Sequence, residues 1–107
     1  MEATNPGALL EQTVYLRLYI ARSTPNSVRA QHNLATVLDE LGDRMKSLEV
    51  ETIDVFAQPK RALVDGVVVT PTLIGIAATK RVVLMGDLAD HDNLHRTLQD
   101  FLKLDDR

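Results

Sequence analysis

The fold is decided by residues 14–30, which read VYLRLYIARSTPNSVRA. Residues 14–20 alternate between apolar side chains and tyrosine or arginine, and strict alternation of this kind predicts a β-strand. The side chains of the second face, Tyr15, Arg17 and Tyr19, are amphipathic rather than charged throughout, so this strand can lie inside a sheet. Thr24 and Pro25 then predict the start of a helix, with Thr24 as its N-cap and Pro25 at the first helical position, where no N–H is needed.

The residues that follow extend this pattern into a helix and a second strand. One apolar stripe at helical spacing is formed by Leu34, Val37, Leu38 and Leu41. Gly42 is expected to end the helix. Residues 48–55 predict the second strand, and a change of phase in their alternation indicates either a bulge or a strand shorter than the run.

The second half of the chain predicts a short helix, two strands and a last helix. The short helix begins at Pro59, and strands follow at about residues 73–76 and 82–84, joined by a short turn. Either Asp87 or Asp90 is expected to cap the last helix. The apolar side of that helix consists of Leu94, Leu98, Phe101 and Leu102.

The predicted order of elements is therefore β-α-β-α-β-β-α. A strand, a crossover helix and a second strand imply a right-handed parallel unit, and a later pair joined by a short turn implies antiparallel neighbours. Together they predict an α/β domain of the thioredoxin-like type, with a four-stranded mixed sheet flanked by helices. We expect a flexible leader at residues 1–12, one domain at residues 13–104 and a short polar tail at residues 105–107.

Composition limits the classes of function. The chain has 107 residues, 45% of them apolar and 25% charged, which is typical of one globular domain. It has no cysteine, so thiolate zinc sites and dithiol redox chemistry are excluded. The net charge of −3 has the wrong sign for a general nucleic-acid binder. Without a long apolar run or a signal-peptide pattern, we expect a cytoplasmic protein with no membrane partner.

Several motifs resemble the KaiB family. The segments LRLYIA (residues 16–21) and TPNSVRA (residues 24–30) look like the opening of its members. Further matches follow in the family's order: IDV at 53–55, QP at 58–59, TPTL at 70–73 and GDL at 86–88. The resemblance implies a thioredoxin-related regulatory domain, without a cofactor, that binds the hexameric ATPase KaiC.

The resemblance also implies two alternative folds. Family members occupy a thioredoxin-like state that binds KaiC and a KaiB-type rearranged state that assembles as tetramers, so a homodimer or homotetramer is left open. The helical stripe at residues 94–102 favours the thioredoxin-like state as the ground state here. Thioredoxin relatives hold the proline at the position of Pro71 in the cis form, and we expect the same of Pro71.

Five basic residues are candidate contacts with a partner. Arg22 lies at the turn before the first helix, where helix N–H groups favour a partner's carboxylate. Two basic pairs fall in the half of the chain that relatives use for partner contact, although solvation of loop ends also explains them. These pairs are Lys60–Arg61 and Lys80–Arg81. The residues assigned a structural role are Thr24, Pro25, Pro71, Gly86 and Asp87.

Sequence signals for metal binding and catalysis are weak. His91 and His95 lie four residues apart, a spacing that suits zinc, but a solvated helix start with nearby aspartates explains them equally well. No serine–histidine–acid signature or glycine-rich phosphate loop is present. We therefore assign no metal site and no catalytic residue.

Three hypotheses for function follow. The first is a non-enzymatic KaiB-like protein that binds a KaiC-type ATPase and modulates its phosphorylation or signalling state in a clock-like timer or a stress response. The second is a sensor-like module that acts with a histidine kinase. The third is a thioredoxin-fold enzyme whose chemistry needs no cysteine.

Overall fold

The computed structural model describes residues 13–42 and 48–102. Its elements follow the predicted order: β1 (Val14–Ile20), α1 (Pro25–Leu41), β2 (Leu48–Asp54), α2 (Pro59–Val64), β3 (Thr72–Ile76), β4 (Arg81–Met85) and α3 (His91–Phe101). The predicted leader and tail lie outside the described residues. None of the helices in these two ranges has the length and apolar character needed to cross a membrane.

The sheet has the strand order β2-β1-β3-β4. Strand β1 pairs in parallel with β2 and antiparallel with β3, and β4 pairs antiparallel with β3. The amphipathic pattern of β1 therefore correctly predicted a strand inside the sheet. Strand β2 pairs with β1 without interruption from Leu48 to Asp54, so the change of phase is not a bulge. It reflects a strand at the sheet edge, where most side chains are exposed.

One face of the sheet is covered by α1 and α3, and we call it the two-helix face. Its core contains Leu16, Leu18, Ile20, Ala30, Leu34, Val37, Leu41, Leu73, Leu88, Leu94 and Leu98. Gly75 lies on this face, opposite Leu16 in the strand register. A Cβ atom at Gly75 would lie 2.9 Å from Val82 Cγ1 and 3.1 Å from Phe101 Cε2. The absence of a side chain therefore allows Phe101 of α3 to pack on the sheet.

In the part of the chain that the structure describes, the opposite face is covered by the six-residue helix α2 alone, and we call it the α2 face. Its smaller core contains Tyr19, Ile53, Ala62 and Ile74. Successive strand residues point to opposite faces, so the same strand β1 supplies leucines to one core and Tyr19 to the other.

Helix α1 begins as predicted, but the hydroxyl of its N-cap residue bonds differently. Thr24 occupies the N-cap position and Pro25 the first helical position, yet the Thr24 side chain caps no backbone N–H. The Thr24 hydroxyl instead donates to Ser27 Oγ at 2.9 Å, and Ser27 Oγ accepts the N–H of Ala21 at 3.0 Å. Ser27 is fully buried, and its hydroxyl oxygen accepts both of these bonds inside the turn. Gly42 ends the helix, as predicted.

The cap of α3 is Asp90, one of the two residues proposed for it. Asp90 Oδ1 accepts the N–H of Asn93 at 3.0 Å. Asp87 instead binds helix α1: its carboxylate pairs with Arg29 Nε at 3.2 Å, and its backbone carbonyl accepts Asn33 Nδ2 at 2.9 Å. Asp87 therefore connects the loop before α3 to α1.

Pro71 and Gly86 meet where β3 begins and β4 ends. The Thr70–Pro71 peptide bond is cis, which agrees with the expectation from the sequence. The N–H of Gly86 donates to the Pro71 carbonyl at 2.9 Å. Gly86 has φ +103°, a conformation that side chains disfavour, so glycine suits this position.

Candidate functional site

The α2 face contains a partly buried polar cluster centred on Asp65, the residue that follows α2. The Asp65 carboxylate accepts a hydrogen bond from Arg17 Nη1 at 3.0 Å and another from the Tyr19 hydroxyl. Arg17 and Tyr19 are two residues apart on β1, so both side chains point to this face. This cluster was not predicted from the sequence, because Asp65 lies more than 45 residues along the chain from Arg17 and Tyr19.

The ionisation of this cluster is fixed by its contacts. Burial raises the pKa of Asp65, but the hydrogen bonds from Tyr19 and Arg17 outweigh burial and hold the pKa below its usual value. Burial and the bond to Asp65 raise the pKa of Tyr19 to about 12. At neutral pH the carboxylate is therefore charged and the phenol is neutral. General acid–base catalysts need a pKa near the working pH, so the pair is better suited to holding α2 on the sheet.

Arg61, one of the predicted partner contacts, is occupied within the chain. Its guanidinium forms two hydrogen bonds with the Glu51 carboxylate of β2, at 2.6 and 2.8 Å. The hydrogen bond from Arg61 lowers the pKa of Glu51, so the carboxylate stays ionised. This two-bond geometry is the strong form of an arginine–carboxylate pair. Arg61 therefore connects α2 to the edge strand.

The other predicted basic residues lie in different places. Arg81 Nη2 donates to the Asp65 carbonyl at 2.8 Å, which places Arg81 beside the cluster on the α2 face. Lys80 donates to the Asp100 carbonyl at 3.3 Å, and its Nζ lies 5.4 Å from the Phe101 ring centroid, at the end of α3. The two basic pairs therefore do not form one continuous surface.

The charges of Arg22 and Lys60 are more available to a partner than those of the other three predicted basic residues. Arg22 has a positive φ of 54°, and its guanidinium carbon lies 4.6 Å from the centroid of the exposed Phe56 ring. Lys60 is exposed and has no ion pair within the described residues. With Arg17 and Asp65, Lys60 lines an open pocket of about 200 Å³.

The α2 region also exposes apolar side chains that sequence reasoning did not assign to a surface. Leu63, Val64 and Val68 are 79%, 84% and 83% exposed. The run of valines at residues 67–69 has the composition of a buried strand, but these residues form the loop before β3. Of these three valines, Val67 is the one that packs against the smaller core.

His91 and His95 form a polar contact between helices. His91 Nε2 lies 2.8 Å from Glu40 Oε1 of α1, and His91 Nδ1 lies 3.0 Å from Asp92 Oδ1. The contacts with Asp92 and then Glu40 raise the pKa of His91. In residues 13–42 and 48–102, no group of three or more His, Cys, Asp or Glu side chains is arranged to hold a metal ion. The contact therefore serves to join α1 to α3.

Comparison with solved structures defines the class of protein. The thioredoxin of Malassezia sympodialis matches with a TM-score of 0.70 at 13% identity, over 95% of this chain and 88% of that one. At this identity the match concerns the fold alone. The chain is a thioredoxin-like α/β domain that lacks the cysteines of a thioredoxin redox site.

Sequence comparison identifies the family. The KaiB domain model matches residues 17–100, so the chain belongs to the KaiB family. The circadian clock oscillator protein KaiB of Microcystis aeruginosa is 36% identical over 87 residues, covering 81% of this chain and 82% of that protein. The protein of the same name from a Cyanothece species is 38% identical over 85 residues, covering 79% of each. The resemblance seen in the motifs is confirmed.

A solved structure places the fold within a larger protein. The N-terminal domain of Synechococcus elongatus SasA matches with a TM-score of 0.72 at 25% identity. The match covers 100% of this chain and 98% of that domain. The same fold therefore occurs in this KaiB-family chain and in the N-terminal domain of another protein.

Proposed function

We propose that the chain is a non-enzymatic regulator that binds a KaiC-type ATPase and modulates its phosphorylation or signalling state. The observation that carries this proposal is membership of the KaiB family over residues 17–100, combined with the thioredoxin-like state. Its mechanism is a population shift: the chain binds one nucleotide or phosphorylation state of the ATPase more tightly than another. We also propose that residues 13–104 form one domain and that the protein is located in the cytoplasm.

The chemistry of the described residues supports a role without catalysis. Among them, the groups with shifted pKa values are engaged in hydrogen bonds or ion pairs with one another. Tyr19 and Asp65 titrate far from neutral pH and bond each other. The family supplies the main support, since a cysteine-free chain is excluded only from thiol chemistry.

The five predicted basic residues contribute to binding in different ways. Lys60 and Arg22 are proposed to contact carboxylates of the ATPase directly, because neither forms an ion pair within the described residues. Arg61, Lys80 and Arg81 bind acceptors of their own chain, so we propose that they mainly hold the surface in shape. Exposed charges at the edge of an interface, such as those proposed for Lys60 and Arg22, act mainly on the association rate.

The test is to mix the purified chain with the KaiC-type ATPase of the same genome and to measure the mass of the complexes formed with ATP and with ADP. We expect a nucleotide-dependent complex with up to one copy per ATPase subunit. Lys60→Glu should slow association, whereas Arg96→Glu makes the same charge change on exposed α3 and should not. Failure to form a complex with either nucleotide would contradict the proposal. The chain alone, weighed in the same way, tests the predicted homodimer or homotetramer.

A second candidate function is a sensor-like module that acts with a histidine kinase. The complete match to the SasA N-terminal domain favours it, because that domain is one part of a longer protein. The test is to measure autophosphorylation of histidine kinases from the same genome with and without the chain. A change with a kinase and no complex with the ATPase would favour this candidate over the first. The cysteine-free enzyme has no comparable observation in its favour.

A further inference from the structure

The register of β4 places two exposed apolar residues on the α2 face. Val83 pairs opposite Ile74, and Met85 pairs opposite Thr72. Paired residues in neighbouring strands point to the same face, and Ile74 belongs to the same buried cluster as Ala62 of α2. Val83 and Met85 therefore lie on the α2 face, where Met85 is 62% exposed.

Hydrogen bonds made by neighbours of these residues join β3 and β4 to the region around α2. At one end, Arg81 of β4 donates to the carbonyl of Asp65, which follows α2. At the other end, the Thr72 hydroxyl donates to the Val69 carbonyl at 2.6 Å, and Met85 lies opposite Thr72. The exposed apolar residues of α2, of the loop before β3 and of this side of β4 form what we call the apolar band. It consists of Leu63, Val64, Val68, Val69, Val83 and Met85.

The apolar band marks the side of the sheet that is less completely covered. Among the described residues, two helices of 17 and 11 residues cover the two-helix face, whereas one helix of six residues covers the α2 face. A sheet is usually packed against a full layer of other elements, and a contiguous exposed apolar patch typically marks an interaction site. In residues 13–42 and 48–102, no helix lies over β3 and β4 beside α2, which leaves room there for a second helix.

The charges of the α2 face indicate what kind of helix fits. Its described charged side chains are the cations Arg17, Lys60, Arg61 and Arg81 and the carboxylates of Glu49, Glu51 and Asp65. Four cations against three carboxylates leave this face positive, although the whole chain has a net charge of −3. Arg17 and Arg61 are paired with Asp65 and Glu51, whereas Lys60 and Arg81 form no ion pair within the described residues. Lys60 lies on the same side of α2 as Val64, four residues later.

We propose that the apolar band binds an amphipathic helix of a partner protein, with a carboxylate of that helix paired with Lys60. A second copy of this chain fits less well, because a two-fold contact brings the same positive face to both sides. The assignment concerns the chemistry of this surface and does not depend on the ATPase being the partner.

The test is an NMR titration of the labelled chain with a synthetic, amidated 14-residue helical peptide. The peptide has leucines at positions i, i+3, i+4 and i+7, flanked by glutamates, and a control peptide has glutamines instead. We expect saturable amide shifts at residues 63–69 and 83–85. Val68→Ser should weaken binding about tenfold, because it removes a side chain that the complex buries. Met85→Ser, at the other end of the apolar band, should also weaken it.

Two controls separate the apolar contribution from the charge. Val28 is 49% exposed on α1, so Val28→Ser should leave the affinity unchanged. Lys60→Gln should remove a preference of about threefold for the glutamate peptide over the glutamine peptide. Shifts confined to α1 and α3, or equal binding by Val68→Ser and the parent chain, would overturn the proposal. A concentration-dependent dimer that Val68→Ser abolishes would also overturn it, by assigning the apolar band to a second copy.

Discussion

The two-helix face and the α2 face are built on the same four strands but are stabilised by different contacts. The buried cluster of the two-helix face consists of aliphatic side chains from the sheet and two helices. The α2 face has a smaller core, the Asp65 cluster, the Arg61–Glu51 pair and an exposed apolar band. Burial of apolar surface is the dominant stabilising contribution in folding. The comparison therefore predicts that the two-helix face supplies most of the stability and the α2 face most of the contact surface.

The strongest test of this comparison removes a core side chain from the two-helix face. Leu98 of α3 is fully buried, and Leu98→Ala should lower the free energy of unfolding by about 2–5 kcal/mol. Leu63→Ala makes the same chemical change on the α2 face at an exposed position and should change it by less than about 0.5 kcal/mol. Urea unfolding measures both. Equal losses would show that the α2 face contributes as much to stability as the other face.

Gly75 tests how tightly α3 packs on the two-helix face. Gly75→Ala should destabilise the chain by about 2–3 kcal/mol, because the new Cβ would lie 2.9 Å from Val82 Cγ1. The double variant Gly75→Ala with Val82→Ala removes the nearest obstacle and should be less destabilised than the sum of the two single changes. Thermal unfolding of the four proteins measures this coupling. Strict additivity would argue against close packing at this position.

Asp65 tests the polar contacts of the α2 face. Asp65→Asn should cost about 1–2 kcal/mol at neutral pH, because it weakens the bonds from Arg17 and Tyr19. The folded pKa of Asp65 lies below its ordinary value, so the ionised form favours folding. This contribution is complete above about pH 5 and is lost as the pH falls through about 4 towards the folded pKa. The stability difference between parent and variant should therefore shrink in acid, and a constant difference would contradict this origin.

His91 should give the smallest effect, with the opposite pH dependence. The pKa of His91 is raised in the folded chain by Asp92 and Glu40, so the protonated form favours folding. This contribution is complete below the ordinary histidine pKa of about 6.5 and is lost as the pH rises through the folded pKa. His91→Gln should therefore be less stable than the parent at pH 5.5 and equal to it at pH 9. His32→Gln, an exposed control on α1, should show no such difference.

Most of the fold was predictable because it depends on local patterns. The alternation in β1, the Pro25 helix start and the stripe of α1 each involve neighbouring residues. Thr24 occupies the predicted N-cap position, but its hydroxyl bonds Ser27, three residues later, instead of a backbone N–H. The choice between Asp87 and Asp90 was open because both precede α3, and what distinguishes them is that Asp87 contacts α1 whereas Asp90 accepts the N–H of Asn93.

The surface was much less predictable, because it depends on contacts between distant residues. The sequence shows Arg61 and Arg81 as parts of basic pairs, but not that Glu51 and the Asp65 carbonyl occupy them. In the same way, the apolar composition of residues 63–69 does not reveal that most of these side chains face solvent. Helix α2 has six residues and is too short to bury these side chains against the sheet.

The central place of β1 in the sheet has a consequence for the synthesis of the chain. Its two partner strands, β2 and β3, end at Asp54 and Ile76, whereas β1 itself ends at Ile20. At ribosomal rates of about 5–20 residues per second, β1 waits on the order of seconds for its second partner strand. During that time this central strand of the sheet has an open edge, the kind of edge that pairs with other chains. Newly made protein is therefore most exposed to aggregation before residue 76 leaves the ribosome.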